Sequence, residues 1–396
     1  MPPKMKRILL AMFIASGTIF IAEAQNDSVP QVDLIDVVSR KITLEQKNAR
    51  RKKSKVHFTF LPLPSSASGV NKVLFTSINA SFYMGSPKKT NLSTIYFLPY
   101  SNFSDQYAFY IKPTIWKADN RWNFIGDYRI SRYPQDSWGL GGSTDYGKKE
   151  LIKYNYLRMY QNAMRNIGGS WVGGFGLALD YHFAISDSPA DTPHPYFRNY
   201  SGDITKTFSA GFVLPVLFDS RRNSINPQGG MYLNMNYRVN PVFMGSDHTW
   251  QSLFVDFRKY YSFSESRQEI LAFRTYYWTI VSGKVPYLDL PSNGWEVGSG
   301  TANRGFEQNR FRSNALIYAE SEYRFDITEN GFLGGVVFAN FNSASQFGTQ
   351  RFIHWNGALG TGIRLKLNKY SRTNLDIDYG ISRNFQSIYI NIGEVF

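Results

Sequence analysis

The chain has 396 residues, a formal net charge of +14 and 16% aromatic residues, and it contains no cysteine. Without cysteine it can have neither a disulfide framework nor a lipid-modified N-terminal cysteine. The length is compatible with one large domain or two ordinary ones.

The first segment has the pattern of a secretory signal peptide. Lys4, Lys6 and Arg7 precede an apolar run that ends near Ala22, and Ala22-Glu23-Ala24 supplies the small-x-small cleavage pattern. The alternative is an N-terminal membrane anchor, but the apolar run is shorter than the ~20 residues of a spanning helix. We predict a signal peptide over residues 1–24.

Residues 25–55 form a short segment that ends in a basic cluster of Arg50, Arg51, Lys52, Lys53 and Lys55. A short helix is expected near residues 37–42. The segment is too short to fold as a domain by itself. The favoured interpretation is a solvated periplasmic tail beside the membrane, with contact to anionic lipid as the alternative. Nucleic acid is not expected as the partner of an exported chain.

From Val56 onward the sequence predicts strands and turns, and no helix longer than a few turns. In residues 315–325 the odd positions are largely apolar, whereas Glu320, Glu322 and Arg324 stand on the other face. This period of two is that of a β-strand. Sixteen strands are predicted, near 56–62, 70–84, 90–101, 105–117, 121–133, 151–165, 169–184, 204–218, 229–241, 249–261, 268–281, 314–326, 331–342, 354–367, 372–382 and 386–396.

The lengths of the links between these strands indicate how the sheet is arranged. An antiparallel sandwich also alternates. However, long links near 134–150, 185–203, 282–313 and 343–353 all fall on one side of the sheet, and most links on the other side are short. A mean hydropathy of -0.32 combined with abundant aromatics fits a transmembrane β-barrel, whose apolar and polar positions average out. We therefore predict an all-β protein, an antiparallel transmembrane β-barrel of about 16 strands over residues 56–396.

The sequence ends in SIYINIGEVF, which alternates to an aromatic last residue. A chain end normally frays, so this one needs a partner. The last strand is expected to pair with the first, because a strand edge left open in lipid would leave backbone groups unpaired. The residues assigned to this closing strand are Ile388, Ile390, Ile392, Gly393 and Phe396.

Several stretches of the second half carry a resemblance to one family. Asn303-Arg304-Gly305-Phe306 lies in the longest predicted outer loop, and Glu322-Tyr-Arg-Phe325 and Val336-Val-Phe-Ala-Asn340 lie in the strands that follow. A turn motif precedes them, with Asp219, Arg221, Asn223, Pro227 and Gly229. In this order, over about the last 190 residues, the motifs resemble the BamA/TamA-type outer-membrane β-barrel superfamily, also called bacterial surface antigen.

The resemblance implies that the long outer loop folds into the lumen. Arg304, Gly305 and Phe306 would then meet inner-wall partners, for which Glu322, Phe338 and Asn340 are the candidates. The family has Asp where this chain has Asn340, so a weaker clamp is expected. The alternative places Arg304 in a solvated surface loop. For the motif at Asp219 the alternative is ordinary hairpin chemistry, and Arg222 departs from the family pattern.

The resemblance also sets expectations about function. Residues 25–55 are too short for a POTRA domain, so the chain resembles the group without POTRA domains. Its implied activity is to assist insertion or translocation of proteins or lipids at the bacterial outer membrane, and the alternative is a passive pore or structural barrel. Expected partners are outer-membrane lipid and, as a further possibility, client outer-membrane proteins or periplasmic accessory proteins. The protein is expected to be a monomer.

No enzyme motif was found in the sequence. It contains no Gly-x-Ser-x-Gly, no phosphate-binding glycine loop followed by Lys-Ser/Thr and no His-Glu-x-x-His. The histidines show no metal-ligand spacing, and no cofactor is expected. A lipase using His182 beside a serine is the remaining enzymatic alternative.

Overall fold

A computed structural model describes residues 30–38, 56–65, 73–101, 106–132, 134–143, 149–187, 195–264, 266–294 and 303–396. The predicted signal peptide and the basic cluster at 50–55 lie outside these residues. Within residues 31–396 the fold is one sheet of 17 strands with little helix. None of the helices in the described ranges is long and apolar enough to cross a bilayer.

The strands of the first half are β1 (Val56–Ser65), β2 (Val73–Phe82), β3 (Ser93–Ser101), β4 (Tyr107–Trp116), β5 (Trp122–Arg132), β6 (Gln135–Ser137), β7 (Glu150–Gly168), β8 (Trp171–Asp187) and β9 (Lys206–Asp219). Those of the second half are β10 (Gly230–Asn240), β11 (Trp250–Ser262), β12 (Glu269–Gly283), β13 (Ala315–Asp326), β14 (Leu333–Ala344), β15 (Asn356–Asn368), β16 (Thr373–Ser382) and β17 (Gln386–Ile392). Sixteen of the strands match the predicted ones. The additional strand, β6, lies in a predicted outer link and pairs with the start of β7.

Two short α-helices accompany the sheet, α1 (Leu34–Val38) and α2 (Tyr196–Ser201), together with 3-10 turns at Ala118–Asn120, Val242–Met244 and Tyr287–Asp289. Helix α1 begins earlier than the predicted helix at 37–42, because Asp33 caps it: the Asp36 amide donates to Asp33 Oδ1, and the Asp33 amide donates to Asp36 Oδ2.

Strand pairing is antiparallel and follows chain order. Ladders join each strand to the next from β1 to β17, except that β5 pairs directly with β7 past the short β6. In the described part of the chain, no ladder joins β17 to β1. The first strand nevertheless lies close to the last part of the sheet, as His57 of β1 stacks on Tyr370 in the β15–β16 turn, with ring centroids 6.0 Å apart.

Side chains alternate between two environments along the strands. In β13 the even positions are buried and include Glu320, Glu322 and Arg324, whereas the odd positions face outward. In β15 and β16 Leu359 and Ile377 are exposed on the outer face. Apolar side chains on the outside and charged side chains on the inside are the pattern of a membrane-spanning barrel. The structure therefore confirms the predicted all-β barrel and its polar interior.

The end of the chain differs from the prediction. Strand β17 ends at Ile392, and Gly393 takes a φ of +84°, a left-handed conformation that favours glycine. Phe396 therefore lies outside the strand. It is buried against Tyr260, and its main-chain oxygen accepts a 2.8 Å hydrogen bond from Arg324 Nη2. Packing under the barrel wall, rather than pairing in the sheet, holds this aromatic residue.

Candidate functional site: a lumenal clamp

The link between β12 and β13 enters the lumen. We call its described parts, residues 284–294 and 303–314, the lumenal loop. Its apolar side chains complete two buried clusters: Val285, Tyr287, Leu288 and Leu290 pack with residues of β7, β8, β11, β12 and α2, while Phe306 and Phe311 pack with residues of β11 to β15. The loop thus contacts opposite walls of the sheet and occupies the bore between them.

Arg304 lies at the tip of this loop and is fully buried. Its guanidinium donates to Asp378 Oδ2 at 2.6 Å, and it also bonds Glu320 and Glu322. Burial lowers the pKa of Arg304, but the three carboxylates outweigh that effect and hold the pKa well above its ordinary value. We call Arg304 and its three acidic partners the lumenal clamp.

Two residues predicted as partners contact Arg304 in other ways. The Phe338 ring lies under the guanidinium, 3.6 Å from Cζ to the ring centroid, which is a cation–π contact. The Asn340 side-chain amide donates to the Arg304 carbonyl oxygen at 2.9 Å. Asn340 therefore holds the loop backbone by a hydrogen bond, and the acidic residues neutralise the Arg304 charge.

The expectation of a weaker clamp concerned the acidic partners of Arg304. It rested on Asn340 as the counterpart of a family carboxylate, but the structure supplies two acidic groups that the sequence reasoning missed, Glu320 and Asp378. The period of two already placed Glu320 on the same face as Glu322, and Asp378 shares its face with Asp376, but neither residue was assigned to Arg304. The sequence does not show how far the loop enters the lumen, and that depth decides which carboxylates Arg304 can reach.

The clamp belongs to a larger network of buried charges. Arg324 bonds Glu322 at 2.6 Å, and Arg364 bonds Asp378 at 2.5 Å and Glu394 at 2.8 Å. Such a network is costly to desolvate, and it is stable only while every charge keeps its partners. The network joins the loop, strands β13, β15 and β16, and the segment after β17 in one electrostatic unit.

Gly305 lets the loop backbone approach the wall. Its φ is +91°, and a Cβ at this position would lie 2.7 Å from Ala358 Cβ. Gly380 of β16 makes a matching space, since a Cβ there would lie 2.7 Å from the Gly305 nitrogen. The Gly305 amide then donates to the Tyr389 hydroxyl of β17 at 2.9 Å. A side chain at either glycine would push the loop away from the wall.

The next loop residue, Phe306, is buried and packs edge-to-face on Phe311, with ring centroids 5.7 Å apart. The structure thus brings together Arg304, Gly305, Phe306, Glu322, Phe338 and Asn340, which the sequence grouped in one site.

A second anchor holds the other end of the loop. Asp289 is buried on the 3-10 turn Tyr287–Asp289 and accepts a 2.8 Å hydrogen bond from Ser209 Oγ. His182 Nδ1 lies 3.8 Å from the same carboxylate. Burial raises the pKa of Asp289 to about 7, and the nearby Asp180 carboxylate adds to the rise while Arg238 opposes it. No sequence motif marked this anchor.

The environment of His182 bears on the lipase alternative. Ser209 donates its hydroxyl proton to Asp289, and the His182 Nδ1 contacts Thr207 Oγ1 at 3.2 Å. In a Ser–His pair the nucleophilic serine donates its hydroxyl hydrogen bond to the histidine. The arrangement of these buried groups instead serves the loop anchor. Among the described residues, no group of three or more His, Cys, Asp or Glu side chains is placed to hold a metal ion.

The turn motif lies apart from the clamp, at the opposite end of the barrel from the long links. Arg221 bonds Asp219 through Nε and Nη2, both at 2.9 Å, and Asn223 donates to the Ser371 carbonyl at 2.9 Å. Pro227 is buried, and Gly230, rather than Gly229, takes the positive φ, of +97°. The turn therefore does more than close a hairpin, because it also bonds the β15–β16 turn across this end of the barrel.

The predicted closing-strand residues fall into two groups. Ile388 and Ile390 are exposed on the outer face, and Tyr389, between them, points inward to the loop. Ile392 is buried at the end of β17, and Gly393 lies against Ile225 of the turn.

A family model for the Omp85 superfamily domain matches residues 70–396. The chain belongs to the Omp85 superfamily. This confirms the resemblance to BamA/TamA-type barrels. The match covers all described strands except β1, and it places this barrel in the outer membrane.

Solved structures of other Omp85-type barrels are similar in fold. They include BamA from Haemophilus ducreyi lacking POTRA domains 1–3, with 11% identity and a TM-score of 0.51 over 86% of this chain and 69% of that one. CdiB from Escherichia coli has 10% identity and a TM-score of 0.54 over 87% of this chain and 63% of its own, and CdiB from Acinetobacter baumannii has 12% and 0.51 over 86% and 60%. This Omp85 chain thus spans less than two thirds of either CdiB structure. A sequence search of curated proteins gives no match.

Proposed function

We propose that this Omp85 barrel assists the insertion or translocation of proteins or lipids at the outer membrane, without catalysing a covalent reaction. The observation that carries the proposal is the hydrogen bond from the Gly305 amide to the Tyr389 hydroxyl. The loop that fills the bore is bonded through it to the last strand of the sheet. A displacement of β17 would therefore move the loop, and a movement of the loop would in turn displace β17.

The filled bore favours a route along the wall over one through the lumen. The apolar clusters around Tyr287 and Phe306 occupy the bore, and the clamp holds the loop tip with three buried carboxylates. Freeing the loop would withdraw Arg304 from all three carboxylates and leave Glu320 without that cation, and breaking a buried ion pair is expensive. A client or lipid that passes at the junction of β17 and β1 avoids that cost. Client outer-membrane proteins or lipids are thus the proposed substrates.

The test is insertion of an unfolded outer-membrane barrel protein into vesicles that contain this protein. Tyr389→Phe removes the hydroxyl that joins β17 to the loop, and we expect the insertion rate to fall about fivefold, as the loss of one hydrogen bond allows. Tyr379→Phe is the matched control, because Tyr379 lies on the outer face of β16 and bonds Gln386. Equal rates for the two variants would contradict the role of the Tyr389 bond.

A covalent lock distinguishes this function from a passive pore. Since the chain has no cysteine, Phe58→Cys in β1 and Ile390→Cys in β17 introduce two unique thiols at exposed positions, each in the half of its strand that lies away from the long outer links. A bismaleimide across them is expected to stop insertion, while the single-cysteine variants treated in the same way keep it. Steady ion conductance in planar bilayers that the lock leaves unchanged, with no insertion activity in any variant, would support the pore and contradict our proposal.

A further inference from the structure

The outer wall behind the clamp contains a hollow of about 930 Å³ that no described part of the chain fills. Its floor is formed by the small outward-facing residues Ala319, Ser321, Ala339 and Gly357, on the three neighbouring strands β13, β14 and β15. The side chains between them in sequence, such as Glu320 and Asn340, point into the lumen. The hollow is therefore a depression on the membrane side of the wall that carries the clamp.

Large apolar side chains surround the floor. Phe273 stands on one side, Leu359 and Ile381 on the other, and Phe341 above the floor residue Ala339. All four are exposed, and Leu359 is 64% exposed. A volume of this size lies at the upper end of the range for small-molecule sites, roughly 300–1,000 Å³. In an outer-membrane barrel, an apolar depression on this face is presented to the acyl chains of the bilayer.

Two arginines line the hollow, and Arg274 is buried and bonds Asp256 at 3.0 Å. Arg383 lines the hollow from the β16–β17 link, which lies at the same end of the barrel as the long outer links, and the guanidinium is exposed. Neither this link, residues 383–385, nor the adjacent β14–β15 link, residues 345–355, contains Asp or Glu, and the latter adds Arg351. The charge above the apolar depression is thus positive without local compensation, which complements a phosphate at the membrane surface.

We propose that this hollow holds an acyl chain of an anionic lipid of the outer leaflet, with the lipid phosphate at Arg383. The apolar depression selects a chain that lies flat against β13 to β15, and Arg383 selects an anionic head group. The site depends on the outer-membrane location of the barrel and is independent of insertion activity.

Native mass spectrometry of the delipidated full-length protein tests the site. Phosphatidylglycerol and phosphatidylcholine with the same acyl chains are added separately, so that the two probes differ only in the head group. The parent protein is expected to retain one phosphatidylglycerol more strongly than phosphatidylcholine. Ala339→Phe, alone and with Ala319→Phe, fills the depression and is expected to lower retention of both lipids by at least about tenfold. Arg383→Gln is expected to lower retention of phosphatidylglycerol about fivefold and leave phosphatidylcholine unchanged.

Matched controls keep the result interpretable. Ala163→Phe makes the same substitution at an outward position of β7, far along the sheet from the hollow, and Arg267→Gln removes an exposed cation from the β11–β12 turn. Both are expected to retain lipid as the parent does. Each variant is first shown to keep heat-resistant migration in gels, and Ala319→Phe alone serves if a double variant fails to fold.

Two results would overturn the proposal. One is equal lipid retention in the parent and in a folded Ala339→Phe variant. The other is a dimer in the mass spectra that Ala339→Phe disperses, without retained lipid, since the hollow would then receive a second copy of the chain.

Discussion

Arg304 in the lumenal loop donates a 2.6 Å hydrogen bond to Asp378 of β16, a residue 74 positions later in the chain. The same guanidinium bonds Glu320 and Glu322 of β13. A single side chain therefore connects the loop to two strands that are separated in the sheet by β14 and β15. Charges on the wall therefore contribute to fixing the position of the loop.

Removing this side chain should destabilise the loop strongly. Arg304→Ala removes the cation from Glu320, while Glu322 keeps Arg324 and Asp378 keeps Arg364, and breaking a buried ion pair costs roughly 3–5 kcal/mol. We expect a lower unfolding midpoint in detergent, loss of heat-resistant gel migration and faster proteolysis within residues 284–314. Arg267→Ala, at an exposed turn, is the control. If the protease sensitivity of Arg304→Ala matches that of the parent protein, the lumenal clamp does not hold the loop.

The approach of the loop to the wall provides a second test, because it depends on the absence of a Cβ. Gly305→Ala would place a methyl group 2.7 Å from Ala358 Cβ at a φ of +91°, and overpacking of this kind typically costs about 1–3 kcal/mol. We expect a lower unfolding midpoint and faster exchange of the amide that bonds Tyr389. Gly348→Ala is a useful comparison, since Gly348 also has a positive φ, of +85°, but a Cβ there meets open space. Similar losses in the two variants would show that backbone strain, and not contact with the wall, decides the effect.

Most of the fold could be predicted from the sequence, for a physical reason. In a barrel wall one face of each strand meets apolar surroundings and the other meets a polar interior. Apolar and polar residues therefore alternate along the sequence of each strand with a period of two. Ala315–Asp326 and Thr373–Ser382 show it clearly, and the predicted bounds differ from the observed ones by a residue or two. The link lengths then determined which end of the barrel carries the long loops.

The clamp could be predicted only in part. The inward direction of Glu322 follows from parity, and its pairing with Arg304 followed from the resemblance. The contribution of Asp378 depends on how far the loop descends and on the curvature of the sheet, which brings β16 opposite β13. Neither quantity is encoded in a local pattern. The same reason explains Asp289, a single carboxylate in a loop that is buried among side chains of several strands, including Arg158 of β7, Ser209 of β9 and Arg238 of β10.

The end of the chain shows the limit of alternation as a guide. Ile388, Ile390 and Ile392 alternate as a strand should, and the pattern suggested that the strand continues to Phe396. Gly393 interrupts it, because its left-handed φ turns the backbone inward, and Glu394 then finds Arg364 at 2.8 Å. The last residues thus form a buried salt bridge with Arg364 and an aromatic contact with Tyr260 instead of continuing the strand.

The segment around α1 is held at the end of the barrel opposite the long links. Asp33 Oδ2 accepts a 3.0 Å hydrogen bond from the Lys369 amide, and Lys369 Nζ bonds Asp36 at 2.9 Å. Asp33→Ala removes both the helix cap and this tether, and loss of a cap alone costs about 1 kcal/mol. We expect hydrogen exchange of residues 32–38 to accelerate by about fivefold or more, while exchange in β13 and β15 is unchanged. Asp203→Ala, which changes an exposed aspartate, should leave residues 32–38 as they are; unaltered exchange in Asp33→Ala would mean that other contacts hold the segment.

The second anchor of the loop should make stability depend on pH. Since burial raises the folded-state pKa of Asp289 to about 7 from an ordinary value of 3.8, the folded protein favours the protonated carboxyl. Its contribution to stability is therefore fully present below about pH 4 and is lost as the pH rises through 7. Asp289→Asn keeps a neutral side chain that can still accept the Ser209 hydrogen bond, so it should be more stable than the parent at pH 8 and similar to it at pH 4. The measurement is the urea unfolding midpoint in detergent across this range.

The groups facing Asp289 are Asp180, Arg158, Arg238 and His182, of which His182 also titrates in this range when unperturbed. His182→Gln is therefore measured in parallel, and a pH dependence that disappears in His182→Gln but persists in Asp289→Asn would assign the titration to the histidine instead.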